Sequence, residues 1–320
     1  MKISFVIPCY CSEKTLGSVV NEIQKTMKKK DEYEYEIILV NDNSKDNTES
    51  IINSLVNEND NIIGISFARN FGQPNALMAG FRVANGDLIM TSDDDGQTPV
   101  GLVWEFLDKM NEGFDVVCAK YLRRPQKSLV RRLGTKLNES MMYHMINKPK
   151  EIGLSSFFLA KKFVIDEIVK YQKPYPYIAG LLLRTTRNIG NLEIQQRERI
   201  SGKSGYNFSK LFKLWINGFT SFSLKPLRVG IALGFTSGIV GVLVAIYTLI
   251  RKIVIPTIQI GYTSQISITL ILGGFILCVL GIIGEYIGRI YMCINGEPQY
   301  VIKSVFLNRK TDTNNSNRRK

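Results

Sequence analysis

A chain of 320 residues with 41 Lys and Arg against 28 Asp and Glu carries a formal net charge of +13, which suits either a nucleic-acid binder or a protein lying against anionic lipid. Two uncharged apolar runs, residues 229–250 and 266–283, favour lipid and argue against nucleic acid as a partner. The five cysteines are odd in number and fall in segments expected to be cytoplasmic or within the membrane, so no disulfide framework is expected.

In chain order, the first expected element is a strand at 3–7. Lys2 leads directly into it, and the apolar run is too short for the core of a signal peptide. Further strands are expected at 36–40, 62–67, 88–91 and 115–119, separated by helical periodicity at 15–28, 48–57, 75–84 and 100–110. This alternation predicts an α/β domain with a mostly parallel sheet and helices on both faces, a Rossmann-like layout. Ligands in such sheets gather at the C-terminal ends of the strands. Those ends carry Pro8-Cys9-Tyr10, Asn41-Asp42-Asn43-Ser44, Arg69-Asn70-Phe71-Gly72 and the run Ser92-Asp93-Asp94-Asp95-Gly96-Gln97. No Gly-rich phosphate loop follows the first strand, which argues against a nicotinamide or P-loop site. Cys9 and Cys11, one residue apart with no partner cluster, are read as ordinary residues.

The acidic run carries the most chemical information. Three adjacent carboxylates disfavour one another's ionisation, and at the buried end of a strand they call for a cation. On an extended backbone Asp93 and Asp95 point the same way and Asp94 points elsewhere. Two carboxylates with the amide oxygen of Gln97 form a hard, incomplete oxygen shell suited to Mg²⁺ or Mn²⁺, completed by water and a substrate diphosphate. A solvated acidic turn is the alternative.

Beyond the alternating region, the stretch 141–146 reads as an amphipathic membrane-facing helix, and it contains the chain's single histidine, His144, read as non-catalytic. Residues 208–228, with Lys210 and Lys213 among Phe208, Phe212 and Trp215, read as an interfacial helix or, alternatively, as a packed helix of the preceding domain. As helices, the runs 229–250 and 266–283 reach about 33 and 27 Å at 1.5 Å per residue, close to a bilayer core. Core helices of a soluble domain are the other way to read them. The expected division is a globular domain at 1–207, the interfacial segment at 208–228, two spans within 229–288 and a tail at 289–320, its last ten residues disordered. Lys210, Lys213, Lys225 and Arg228 precede the first span, Arg289, Lys303, Arg309 and Lys310 follow the second, and the loop between them has only Arg251 and Lys252. The positive-inside rule then puts both termini in the cytoplasm and the short loop outside an inner membrane.

Six segments in order resemble one known family. They are Val6-Ile7-Pro8-Cys9-Tyr10 with Glu13; Val40-Asn41-Asp42-Asn43-Ser44-Lys45-Asp46; Arg69-Asn70-Phe71-Gly72-Gln73-Pro74 continuing to Ala79-Gly80-Phe81; Asp93-Asp94-Asp95-Gly96-Gln97; Arg199 with Gly202 and Ser204-Gly205-Tyr206; and Gly284-Glu285-Tyr286-Ile287-Gly288-Arg289-Ile290-Tyr291. Together they resemble the family 2 glycosyltransferases of GT-A fold, specifically the polyprenyl-phosphate glycosyltransferases that include the dolichyl-phosphate mannose and undecaprenyl-phosphate sugar synthases.

The resemblance implies inverting transfer of one sugar from a nucleotide-sugar, a UDP-sugar for preference, to a polyprenyl phosphate such as undecaprenyl phosphate. It implies that Pro8, Tyr10, Glu13, Asp42 and Asp94 cradle the nucleotide, with Asp42 accepting from a base N–H, and that Arg69 lies near it or makes a structural pair. Asp93, Asp95 and Gln97 would hold Mg²⁺ or Mn²⁺ against the diphosphate. Lys120, Arg131, Arg199 and Ser204 would bind the acceptor phosphate, Arg199 at the reacting centre, while Arg123, Arg124 and Arg132 either substitute for them or touch lipid head groups. A homo-oligomer is left open. An acceptor phosphate with a second pKa of about 6 is largely a dianion at neutral pH, so no strong general base is required.

Three departures from the family pattern stand out. Many relatives have an aspartate shortly before a segment like Ser155-Ser156-Phe157-Phe158, whereas the nearest carboxylate here is Glu151; Asn41 replaces the first acid of an Asp-Asp pair; and Gly205 stands where a basic residue is common. Two other classes stay open. A processive polysaccharide synthase would, by family resemblance, need further spans and a Gln-x-x-Arg-Trp motif, which is absent from the sequence. A non-enzymatic membrane adaptor would not need the acidic run.

Overall fold

Apolar side chains occupy nearly every position of the first strand, β1 (Lys2–Cys9), and every residue after Lys2 is buried. A strand that reads as a continuous apolar run belongs in the middle of a sheet covered on both faces. In the computed structural model β1 is indeed central, flanked in parallel by β2 (Glu34–Asn41) and β4 (Leu88–Thr91). The structure describes residues 1–122, 152–195, 225–255 and 261–308.

Eight strands form one sheet in the order β7-β5-β6-β4-β1-β2-β3-β8, where β3 is Ile62–Phe67, β5 Val116–Tyr121, β6 Phe158–Lys161, β7 Ile189–Ile194 and β8 Ile302–Phe306. The five strands expected from the sequence are all present, and β2–β3 and β5–β7 are also parallel. The sheet is mixed, because β6 runs antiparallel between β4 and β5, and β8 runs antiparallel along β3.

Helices α1 (Leu16–Met27), α2 (Thr48–Glu58), α3 (Gln73–Val83) and α4 (Val103–Asn111) connect the first five strands. In α1 the buried Leu16, Val19, Val20, Ile23 and Met27 recur at three- and four-residue spacing, so a single stripe of the helix faces the sheet. That stripe joins Ile3, Phe5, Ile7, Met90, Val117 and Leu159 in one core. On the opposite face α3 lies so close that a Cβ on Gly80 would sit 2.3 Å from Val6 Cγ1, and only glycine permits this approach. Two short helices, α5 (Lys162–Val169) and α6 (Ile178–Thr185), follow β6.

The chain divides into two units, one of Met1–Leu211 with Glu297–Lys320 and one of Phe212–Gly296. The second unit consists, among the described residues, of two long helices, α7 (Lys225–Val254) and α8 (Tyr262–Ile294). By length and composition Ile271–Ile294 suffices to cross a membrane, at a mean hydropathy of 2.0, while in α7 the apolar stretch Gly230–Val244 is shorter. Two differences from the expected tail at 289–320 follow. Helix α8 runs on to Ile294, and residues 302–306 return to the sheet as β8. The alternation of side chains in β8 suits an edge strand with one half-covered face, which a reading by apolar runs passes over.

Candidate active site

Strand order reverses between β1 and β4, the place where a sheet of this kind opens a crevice at its C-terminal edge. The loop leaving β1 is fixed there by side chains from two directions. The Tyr10 amide donates to Asp94 Oδ2 at 2.9 Å, and the Cys11 amide donates to Ser44 Oγ at 3.0 Å. Cys11 and Asn43 both adopt left-handed backbone conformations, φ 55° and 54°, as the two loops turn towards each other. Pro8 is buried within β1 opposite Val40, whereas the Tyr10 ring is exposed. Glu13 donates its amide to Asp46 Oδ2 at 3.2 Å, and its Oε2 accepts from the amide and the side chain of Asn47, each at 3.2 Å. Glu13 therefore ties the β1–α1 loop to the β2–α2 loop.

Asp42, at the end of β2, is buried, and its carboxylate accepts from the Phe71 amide at 2.6 Å and the Gly72 amide at 2.8 Å. Burial pushes this carboxyl up to about 6, against the lowering effect of the two amide bonds. Gly72 has φ 89°, a conformation open to glycine and strained for other residues, and it presents its amide to Asp42 while starting α3. The Asn70 side chain donates to Asp42 O at 3.2 Å. A base N–H reaching Asp42 would meet a carboxylate with both oxygens already engaged.

The next residue of this loop reaches the acidic run. Gln73 Nε2 donates to Asp93 Oδ1 at 2.9 Å, and Ser156 Oγ donates to Asp93 Oδ2 at 3.1 Å. Burial first, then the charges of Asp95 and Asp94, push the Asp93 carboxyl up to about 6 against these two hydrogen bonds. Asp94 turns to the Tyr10 amide, and burial raises its pKa as well. Asp95 Oδ1 accepts from the Gln97 amide at 3.0 Å. The phenol of Tyr121, at the end of β5, is raised to about 12, chiefly by burial and then by the charges of Asp93 and Asp95. Asp93 is thus tied to Gln73 and Ser156 and Asp94 to the loop leaving β1, while the charges of Asp93 and Asp95 both act on Tyr121.

Among the described residues no group of three or more His, Cys, Asp and Glu side chains is arranged to hold a metal ion. The donors available for a cation are two repelling carboxylates with neighbouring neutral oxygens, which is a hard set that leaves positions for substrate and water. That mutual repulsion fits a divalent cation, and Asp93 and Asp95 would hold it.

The basic residues distribute differently. The Arg69 side chain is 64% exposed, pairs with Glu297 at 3.6 Å and lies over the Phe71 ring at 4.6 Å. Lys120 pairs with Glu193 at 2.9 Å, and because its neighbour Tyr121 faces the acidic run, Lys120 projects from the other face of β5. Arg131, Arg199 and Ser204 lie outside the described residues, as do His144, Glu151, Arg123, Arg124, Arg132 and the segment 208–222. Sequence reading missed Gln73, Ser156 and Tyr121 as neighbours of the acidic run. Gln73 sits inside a segment that carried the family resemblance, Ser156 inside the segment noted for its departure from the family pattern, and Tyr121 is adjacent to Lys120; their polar or phenolic character was the available signal.

Comparison with known proteins agrees with this geometry. Residues 4–169 match the model described as glycosyl transferase family 2, and residues 225–290 match the GtrB C-terminal hairpin. The chain is 35% identical over 306 residues to the SfII prophage-derived bactoprenol glucosyl transferase of Shigella flexneri, covering 95% of this chain and 98% of that protein. It is 31% identical over 316 residues to the undecaprenyl-phosphate 4-deoxy-4-formamido-L-arabinose transferase of Proteus mirabilis, covering 98% and 96%. Among solved structures, glucosyl-3-phosphoglycerate synthase from Mycobacterium tuberculosis, in complex with Mn²⁺, UDP and glucosyl-3-phosphoglycerate, shares the fold with a TM-score of 0.52 and 16% identity over 69% of this chain and 80% of that one. With a GT-A-like mixed sheet, a matching hairpin and relatives aligned over nearly its whole length, the chain belongs to glycosyl transferase family 2, within its polyprenyl-phosphate group.

Proposed function

We propose that this protein transfers a single sugar, with inversion, from a UDP-sugar to undecaprenyl phosphate at the cytoplasmic face of the membrane, assisted by Mg²⁺ or Mn²⁺. The observation that carries the proposal is the convergence of Asp93, Asp95, Gln73 and the Asp42-held loop at the β1/β4 crevice. The names of the relatives, bactoprenol glucosyl transferase and an undecaprenyl-phosphate sugar transferase, support the acceptor class. A structural neighbour that binds UDP and Mn²⁺ supports the donor and the metal.

A divalent cation at this site supplies charge to offset the departing diphosphate. The residues themselves divide the remaining work. Asp93 is held on both oxygens by Gln73 and Ser156, which fixes its orientation before any ligand arrives. Asp94 and Glu13 hold the loop that carries Tyr10, whose exposed ring offers a surface to a nucleotide base. Arg199, with Arg131 and Ser204, is assigned to the acceptor phosphate, whereas Lys120, paired with Glu193 on the other face of β5, is not. That phosphate is already nucleophilic near neutral pH, so alignment and charge neutralisation supply the catalysis and His144 plays no part as a base.

Basic residues flank both outer ends of the hairpin, and β8 pairs with β3 after α8, which supports an even number of crossings with both termini in the cytoplasm. The test is the purified full-length protein with undecaprenyl phosphate, Mn²⁺ or Mg²⁺, and a panel of labelled nucleotide-sugars. One sugar should move to the lipid fraction with release of one nucleoside diphosphate. Label appearing in a polymer, or release of nucleotide independent of lipid, would overturn the reading.

A further inference from the structure

The stretch between α8 and β8 folds against the loop that serves the crevice. The Tyr300 ring stacks on Phe67 at 5.0 Å between centroids and 12° between planes, and Phe67 in turn meets the Phe71 ring edge-on at 5.7 Å. Phe71 is the residue whose amide Asp42 holds, and two positions further on Gln73 holds Asp93. A line of three aromatic rings therefore runs from Tyr300 to the backbone that faces the acidic run.

Tyr300 is itself anchored. Its hydroxyl accepts from Arg82 Nη1 at 2.8 Å, and Arg82 Nη2 donates to Gln299 Oε1 at 3.1 Å. Gln299 is 6% exposed and donates through Nε2 to the carbonyls of Lys173 at 2.9 Å and Tyr171 at 3.3 Å. The Ala68 amide donates to Val301 O at 2.9 Å. The register between β3 and β8 shifts between Ser66, opposite Ser304, and Phe67, opposite Ile302, so Lys303 is the extra residue of a bulge just before the Tyr300 stretch. Glu297 adds the ion pair to Arg69, whose guanidinium lies over the Phe71 ring at 4.6 Å. So many contacts converging on one short stretch, distant in sequence from the loop it braces, exceed what closing a sheet edge requires.

We infer that Tyr300 is a positioning residue for donor binding: it sets the β3–α3 loop, and through it the Asp42 and Asp93 contacts, at the geometry that receives a nucleoside diphosphate with its cation. The inference rests on the proposed binding of a nucleoside diphosphate at the acidic run. The aromatic ring carries the effect, and the hydroxyl bond to Arg82 holds the ring in place.

The test measures binding of UDP in the presence of Mn²⁺, with no acceptor, to full-length protein in detergent by titration calorimetry. The variants are Tyr300→Ala, Tyr300→Phe and Arg82→Met, each with a thermal midpoint recorded. Tyr300→Ala should bind UDP with Mn²⁺ about tenfold more weakly, the scale expected when a binding loop shifts by a fraction of an ångström. Tyr300→Phe, which keeps the stack, should restore affinity to within about twofold of wild type, and Arg82→Met should fall between them. In turnover the Tyr300→Ala loss should appear in the donor KM and leave the acceptor KM unchanged. If Tyr300→Ala does not fold, Arg82→Met decides: weakened UDP binding supports the role and wild-type binding overturns it. Wild-type affinity in Tyr300→Ala, or equal losses in donor and acceptor KM, overturns it directly. Wild-type protein that binds no UDP with Mn²⁺ removes the functional reading itself and this inference with it.

Discussion

The sheet unit and the two-helix unit use the same residue types for opposite purposes. In the sheet unit Phe5, Phe106 and Phe157 are fully buried among other side chains, whereas in α7 and α8 Phe235 is 71% exposed and Leu277 is 70% exposed. Apolar side chains left this exposed along helices of this length are not covered among the described residues, and a bilayer is the solvent that suits them. The difference teaches that apolar content alone does not locate a core. What distinguishes the two units is whether the apolar positions recur as strands with turn-forming ends, as in β1 and β2, or continue without a break through 18 residues and more, as in residues 266–283.

Substitution separates the two settings of an apolar side chain. Phe5→Ala should lower stability by about 3–5 kcal/mol, because it empties a site enclosed by α1, β2 and β4, while Phe235→Ala should change it by less than about 1 kcal/mol. Denaturant or thermal unfolding of both variants in the same detergent checks the pair, and equal losses would mean that α7 packs as a core helix. Next in size, Leu277→Arg should cost about 2.5–3.5 kcal/mol of membrane insertion, read as a lower share of protein in the membrane fraction. An unchanged share would show that this face of α8 does not meet lipid.

The crevice of the sheet unit also buries charge. Asp42 has a folded-state pKa of about 6 against an ordinary value of 3.8, so the folded state keeps its proton where the unfolded state has lost it. Its contribution is therefore most favourable below about pH 4 and is lost as pH rises through about 6. Asp42→Asn should remove a stability difference of order 1–2 kcal/mol across that window, measured as the change in unfolding free energy of wild type minus variant from pH 4 to pH 7. A difference that does not vary with pH would mean that the folded and unfolded states hold the Asp42 proton equally, so that burial does not raise its pKa. Smallest of all, Glu193→Gln should shift stability by less than about 1 kcal/mol, since Glu193 pairs with Lys120 at an exposed site where solvent screens the charges.

Much of the sheet unit was legible in the sequence because its strands are apolar runs bounded by polar turns. The first five strands were readable in this way, and so was the convergence of four loops on one edge. Strands β6 and β7 were not, since the four residues of β6 end in Lys161 directly ahead of Lys162, and β7 carries half-exposed Asn191 and Leu192 and exposed Glu193 between its buried ends. Strand β8 escaped for a further reason: it pairs with β3 across more than two hundred residues, and no local pattern encodes such a partner. The same separation hid the pairing of Arg69 with Glu297. In the site, the acidic run announced itself by charge, but the neutral residues that orient it did not. Gln73 and Ser156 have no composition that marks them out, and only the folded geometry brings them to Asp93. Asp42 was identified as a site residue from its place after β2, yet its engagement by the Phe71 and Gly72 amides depends on the turn at Gly72.

The proposed action of Asp93 and Asp95 on the donor diphosphate runs through a shared divalent cation. Its most direct measurement is lipid-linked product formation from undecaprenyl phosphate and the active nucleotide-sugar, comparing wild type with Asp95→Asn, each with added Mn²⁺ and with excess EDTA. Wild-type turnover should require the metal and return when it is restored, and Asp95→Asn should fall by about a hundredfold or more at an unchanged thermal midpoint, because one charged ligand is lost. Full wild-type turnover in EDTA, or an Asp95→Asn variant as active as wild type, would contradict the account.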